Sequence, residues 1–208
     1  MPMRADEIYP WLMEASEGSG MDPFDVHVCA SILAMGLGES AVEGVSVCKL
    51  VGLDGNSLRC LIEGMFPGVA GQFDETFKPC ALTIDAEEQS LRDILWMYAS
   101  SHGPLHRDLT AMIARRCIRP HHLWQDLGFR NRGELSRLMT RHFSLLAAKN
   151  RGDMKWKKFL YRMVCGTEGF TFCAAPVCSD CDDFALCFGA EDGESLLAQA
   201  NFAQAATV

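Results

Sequence analysis

The chain has 208 residues, 49% of them hydrophobic, and a formal net charge of −8, so one domain can bury a sizeable apolar core on its own. No charged, apolar and small-residue export pattern opens it, and no uninterrupted apolar run approaches the roughly 18 residues of a membrane helix; a cytoplasmic protein without a membrane partner is expected. Ten cysteines in such a chain argue for reduced thiols rather than the disulfide framework of a small secreted protein.

Helical periodicity runs along most of the sequence. Asp22 before Pro23 has the form of a cap and first-turn proline, followed by Val26, Cys29, Leu33 and Leu37 at three- and four-residue steps. Gly36, Gly38 and Gly44 are expected to loosen the end of that helix. Asp54 can cap another, with Leu58, Leu61, Ile62 and Met65 as its apolar stripe and Pro67-Gly68 as its stop. A loop to about residue 84 precedes Asp85-Ala86-Glu87-Glu88, which has the pattern of a capping box, and Leu91, Ile94, Leu95 and Tyr98 continue the helix. Leu105, Leu109, Met112 and Ile113 carry the next one until Pro120 stops it. Asn131 and Glu134 cap a helix containing Leu135, Leu138, Met139 and Phe143. In the last, Trp156, Phe159, Leu160, Met163 and Val164 share one face, while Lys155, Lys158 and Arg162 lie on another. No stretch alternates apolar and polar residues between hairpin turns. The expected fold is therefore all-α, a compact multi-helix bundle with a cysteine-rich metal-binding loop near its C-terminal end. Residues 1–20 are set apart as an N-terminal extension, 21–190 as a single helical domain and 191–208 as a flexible tail.

Charge is unevenly spread. Residues 107–162 hold fourteen Lys or Arg against four Asp or Glu, and from residue 163 onward there is no Lys or Arg at all. Zinc modules that read nucleic acid put cations beside their metal to meet phosphate, whereas the loop here is acidic, so no nucleic-acid partner is expected. No nucleophile–base pair, phosphate-cradling glycine loop or His-Glu-x-x-His pattern is present, which leaves hydrolase and NTPase functions without local support.

The cysteines carry the chemistry. Cys173, Cys178, Cys181 and Cys187 fall within fifteen residues, a density that suits zinc, copper(I) or an iron–sulfur centre, with inert or disulfide-bonded thiols as the alternative. Cys29, Cys48, Cys60, Cys80 and Cys117 mostly lie in apolar helical patterns as small hydrophobes, and Cys165 could reach the loop as a fifth sulfur or simply pack at a helix end. Pro176 can stiffen the loop or serve as an ordinary turn residue. His121 and His122 could ligate a metal, move a proton or hold a loop by hydrogen bonding. Trp124 and Trp156 are most simply core, and Asp126 and Asp153 could accept bonds from the basic helix or cap local backbone.

Three stretches together resemble the NifQ family: His122-Leu-Trp-Gln-Asp-Leu-Gly128, Asp153-Met-Lys-Trp-Lys-Lys-Phe-Leu-Tyr-Arg162, and the four-cysteine loop followed by Phe188-Gly189. The likeness runs from about residue 20 to about residue 190. It implies a non-enzymatic carrier in nitrogen-fixing bacteria, holding an iron–sulfur cluster with molybdenum and donating that molybdenum for assembly of the nitrogenase iron–molybdenum cofactor. The implied partners are the cofactor scaffold or the nitrogenase iron protein, and molybdate or another molybdenum source upstream. Cys173, Cys178, Cys181 and Cys187 are the ligands this resemblance implies, with His122 a further candidate. Asp180, Asp182 and Asp183 would repel an incoming molybdate dianion, so capture needs cations from elsewhere: Lys155, Lys158 and Arg162 first, then Lys157, Arg130 and Arg132, although a solvated helix face has the same pattern. Two other functions use the same four cysteines, a zinc-stabilised interaction module and an iron–sulfur redox protein.

Overall fold

A computed structural model describes residues 4–73, 80–168, 187, 191 and 193–197. Among these the secondary structure is helical, with no strand. The helices are α1 (Ala5–Ala15), α2 (Pro23–Glu43), α3 (Val47–Val51), α4 (Gly55–Met65), α5 (Ala86–Met97), α6 (Pro104–Cys117), α7 (Leu123–Asp126), α8 (Arg132–His142), α9 (Ser144–Ala147) and α10 (Trp156–Glu168). Residues 67–73, expected in a loop, form a 3-10 helix (Pro67–Phe73).

The caps explain where several of these helices start. Asp22 Oδ1 accepts from the Phe24 and Asp25 backbone N–H groups at 2.9 and 3.3 Å, Asp54 Oδ1 from Ser57 N–H at 2.9 Å, and Asp85 Oδ1 from Glu88 N–H at 2.8 Å. Glu88 does not complete a capping box: its carboxylate, 1% exposed, turns inward to Arg92 at 2.6 Å and to Arg115 of α6 at 2.7 Å. Two guanidinium groups outbid one backbone N–H for a buried negative charge.

The glycines of α2 also act differently from expectation. The helix continues through Gly36 and Gly38 and ends at Gly44, whose φ of 67° is left-handed. A Cβ on Gly36 would stand 2.4 Å from a Val51 methyl, and one on Gly38 would stand 3.1 Å from the Ala5 backbone nitrogen. These glycines therefore let α3 and the start of α1 approach, and helical hydrogen bonding survives because packing offsets their low propensity.

The core surrounds α2, where Val28, Cys29, Ile32 and Leu33 are fully buried. α1 covers α2 through buried Ile8, Leu12 and Ala15, so the segment set apart as an extension contributes to this core. α3 joins α2 to α6, and α5 packs on both α6 and α10. α2 is also the one described helix long and apolar enough to cross a membrane, but 61% of that window is buried inside the protein.

Candidate metal centre

Cys173, Cys178 and Cys181 lie outside the described residues, as do Pro176, Asp180, Asp182 and Asp183. Cys187 is described. It is half-buried against the core, and its carbonyl accepts a 2.8 Å hydrogen bond from the Lys155 backbone N–H. Lys155 stands immediately before α10, and its own carbonyl accepts from Phe159 N–H at 2.9 Å. The start of the basic helix is thus tied to the last cysteine by main-chain bonding.

A tight turn sets the position of Lys155. Asn150 grips Met154 from both sides, Oδ1 accepting from its N–H and Nδ2 donating to its carbonyl, each at 2.9 Å. Asp153 takes a φ of 51°, left-handed backbone that Asp and Asn tolerate better than most residues. Arg132, at the start of α8, reaches across this turn. Its Nη2 donates to the Asp153 carbonyl at 2.8 Å, to Asp153 Oδ1 at 2.9 Å and to the Met154 carbonyl at 2.9 Å.

Beyond Cys187 the chain passes over α7. Glu191, 4% exposed in its side chain, lies 3.6 Å from both His122 Nδ1 and Arg132 Nε. Gln125 Nε2 donates to the Glu194 carbonyl at 2.9 Å, while Gln125 Oε1 accepts from His122 N–H at 3.2 Å. Gly193, at φ 142°, lies so close to α7 that a Cβ would fall 2.6 Å from Gln125 Nε2 and displace that amide. Leu197 packs against the core beside Gly128. Sequence reasoning placed Glu191, Glu194 and Leu197 in the tail and assigned Gln125 nothing; the Leu196-Leu197 pair after a glycine was the available signal that this segment docks.

The proposed cations separate into two groups. Lys157 is already committed, donating to Asp126 Oδ2 at 2.5 Å and to the Arg119 carbonyl. Asp126, 1% exposed, has His121 Nδ1 3.1 Å from its other oxygen, so His121 serves a buried carboxylate. Lys158 and Arg162 are exposed and Lys155 is partly so, one beyond another along the outer side of α10. Lys155 and Lys158 have no carboxylate partner among the described residues. Trp124 and Trp156 are buried, as expected of core residues, and the Trp156 indole donates to Ser136 Oγ at 3.2 Å.

Most of the scattered cysteines fit no metal role. Burial pushes the Cys117 thiol up to about 12 and Cys29 further still, so both stay neutral and poor as ligands. Cys60, expected in an apolar pattern, is exposed on α4. Cys165 is buried on the inner face of α10. Among the described residues no three His, Cys, Asp or Glu side chains converge as a metal site. Cys187, the one described member of the four-cysteine motif, is held by a main-chain hydrogen bond and is partly buried.

Comparison with known proteins places the chain. The NifQ family profile matches residues 28–189. A protein NifQ homolog of Sinorhizobium fredii is 36% identical over 172 residues, 83% of this chain and 75% of that protein. Protein NifQ of Rhodobacter capsulatus is 36% identical over 157 residues, covering 76% and 86% of the two chains. Protein NifQ of Azotobacter vinelandii is 33% identical over 152 residues, covering 68% and 78%. No solved structure matches. With the profile covering most of the sequence and relatives aligned over most of their own length, the chain belongs to the NifQ family.

Proposed function

We propose that this chain is a carrier rather than an enzyme, taking molybdenum into an iron–sulfur environment and donating it for assembly of the nitrogenase iron–molybdenum cofactor. Cys173, Cys178, Cys181 and Cys187 are the ligands, four thiols within fifteen residues. Soft thiolates and sulfide suit a metal that must leave in a sulfur-rich form, which an all-oxygen site would not supply. The observation that carries this reading is the four-cysteine motif in a chain of this family, with its last member docked by its backbone on the start of α10.

The chain's own residues divide the work. Lys155 and Lys158, without carboxylate partners among the described residues, and Arg162 give an incoming oxyanion a cationic approach on the helix that begins at the Cys187 contact. His122 stands beside Glu191 and remains a secondary ligand candidate. The receiving partner is the cofactor scaffold or the nitrogenase iron protein, met in the cytoplasm.

Anaerobic metal analysis of wild type beside a Cys178→Ala variant, from cells grown with abundant molybdate, tests the assignment. Iron, sulfide and molybdenum are expected in wild type, with most of each lost in the variant. Zinc alone in wild type overturns the proposal, and iron without molybdenum turns it into an electron carrier. Replacing Lys155, Lys158 and Arg162 together by Gln should lower molybdenum content several-fold while iron stays within about twofold of wild type, since removing approach charge weakens capture and not ligation. Equal molybdenum content would remove these cations from the mechanism.

A further inference from the structure

We propose that Arg132 is a positioning residue for the metal centre, one side chain that clasps the chain on both sides of Cys187. The inference rests on Cys187 being a ligand and goes beyond it by assigning what holds that ligand in place. On one side, Nη2 makes three bonds of 2.8 to 2.9 Å to Asp153 and Met154, fixing the turn whose next residue, Lys155, donates its N–H to the Cys187 carbonyl. On the other, Arg132 Nε faces Glu191 Oε2 at 3.6 Å, four residues past Cys187. Both of those atoms are buried, and neither has a hydrogen-bond partner among the described residues. The Glu191 carboxylate is buried between Arg132 and His122, opposite charges attract strongly in such a low-dielectric site, and removing Arg132 strips that carboxylate of its permanent cation.

The contacts from α7 complete the clasp. His122 Nδ1 meets the other Glu191 oxygen, and Gln125 holds the Glu194 carbonyl. The tryptophan-bearing motif from His122 to Gly128 thus serves as a platform for the described residues that follow Cys187. A ligand whose supports are rigid costs less conformational entropy on metal binding, and loss of an outer-shell partner typically lowers metal affinity by about ten- to a hundredfold.

The test uses the full chain, loaded anaerobically with ferrous iron and sulfide, and measures the rate of iron loss to a chelator together with amide hydrogen exchange of the metal-free protein. Arg132→Ala should lose iron about tenfold faster, and the Lys155 amide should lose protection, while amides in α2 and α6 keep theirs. Glu191→Gln should raise the rate of iron loss by a smaller factor and leave the Lys155 amide protected, because it releases only one arm. This second variant decides the matter if Arg132→Ala does not fold. Wild-type rates of iron loss from folded Arg132→Ala, or from Glu191→Gln where that variant decides, overturn the clasp and leave the carrier proposal standing. A wild type that binds no iron at all sinks both.

Discussion

Asp153 shows how a single backbone conformation supports the site. Its φ of 51° costs most side chains about 1 kcal/mol or more, and its carboxylate is 79% exposed, so the bond to Arg132 returns little. Asp153→Gly should leave stability within about 1 kcal/mol of wild type, since relief of strain offsets the greater chain entropy of glycine. Asp153→Val should lose about 2 kcal/mol. Urea denaturation compares the two, and a valine tolerated as well as glycine would show that the turn is unstrained. Sequence alone left Asp153 as an acceptor for the basic helix or a cap for local backbone; it accepts from a basic residue, but one on α8. The left-handed backbone was invisible because Asp is common in ordinary turns as well.

Arg116 shows what an element needs from its neighbours. It is 0% exposed, sits near the end of α6, pairs through both Nη atoms with Glu39 of α2 at 2.6 and 2.7 Å, and donates from Nε to the Asp126 carbonyl of α7 at 2.6 Å. Three helices therefore share one guanidinium. α7 is only four residues long and cannot hold itself together; it depends on this bond and on its buried Leu123 and Trp124. Arg116→Ala should destabilise the fold by about 3–5 kcal/mol, the range for stripping one partner from a buried ion pair. Arg116→Lys should recover only part of that, because one ammonium cannot span both Glu39 oxygens and the Asp126 carbonyl. Thermal unfolding measures both, and an Ala variant within about 1 kcal/mol of wild type would contradict the shared role.

Across the molecule, the uneven charge turns out to be a folding device. Arg115, Arg116, Arg119 and Arg141 of the basic segment pair with Glu88, Glu39, Glu43, Asp22 and Asp25 from the acidic first half. Part of the excess positive charge is thus neutralised within the fold. Stability should follow pH through opposing groups. Burial pushes the Glu134 carboxyl up, but hydrogen bonds from His27 and the Arg130 N–H outweigh it and hold it low; the Phe24 and Asp25 N–H groups do the same for Asp22. Such depressed groups stabilise the fold above their unfolded values and lose that contribution as pH falls through the folded ones. Asp108 opposes them, because burial raises its carboxyl from 3.8 to about 6. Its contribution is complete below about pH 4 and disappears as pH rises through about 6. Asp108→Asn should therefore flatten the fall in stability between those values and gain about 1–2 kcal/mol at pH 7. Parallel urea titrations at pH 4 and pH 7 check this; an equal effect at both would assign the gain to packing.

The sequence by itself determined α2, α4, α5, α6, α8 and α10, most of their caps, the burial of Trp124 and Trp156 and the one stretch dense in thiols. These follow from periodicity, local hydrogen bonding and spacing, all of which act over a few residues. Only the tertiary structure decided that Glu88 turns to two arginines instead of its own cap, that Lys157 is committed to Asp126 while Lys155 and Lys158 are not, and that Arg132 and Gln125 reach the segment beyond Cys187. Apart from the Glu88–Arg92 pair within α5, each depends on a partner distant in sequence. A long charged side chain has several partners within its reach, and the choice among them is made by which helices the core brings together.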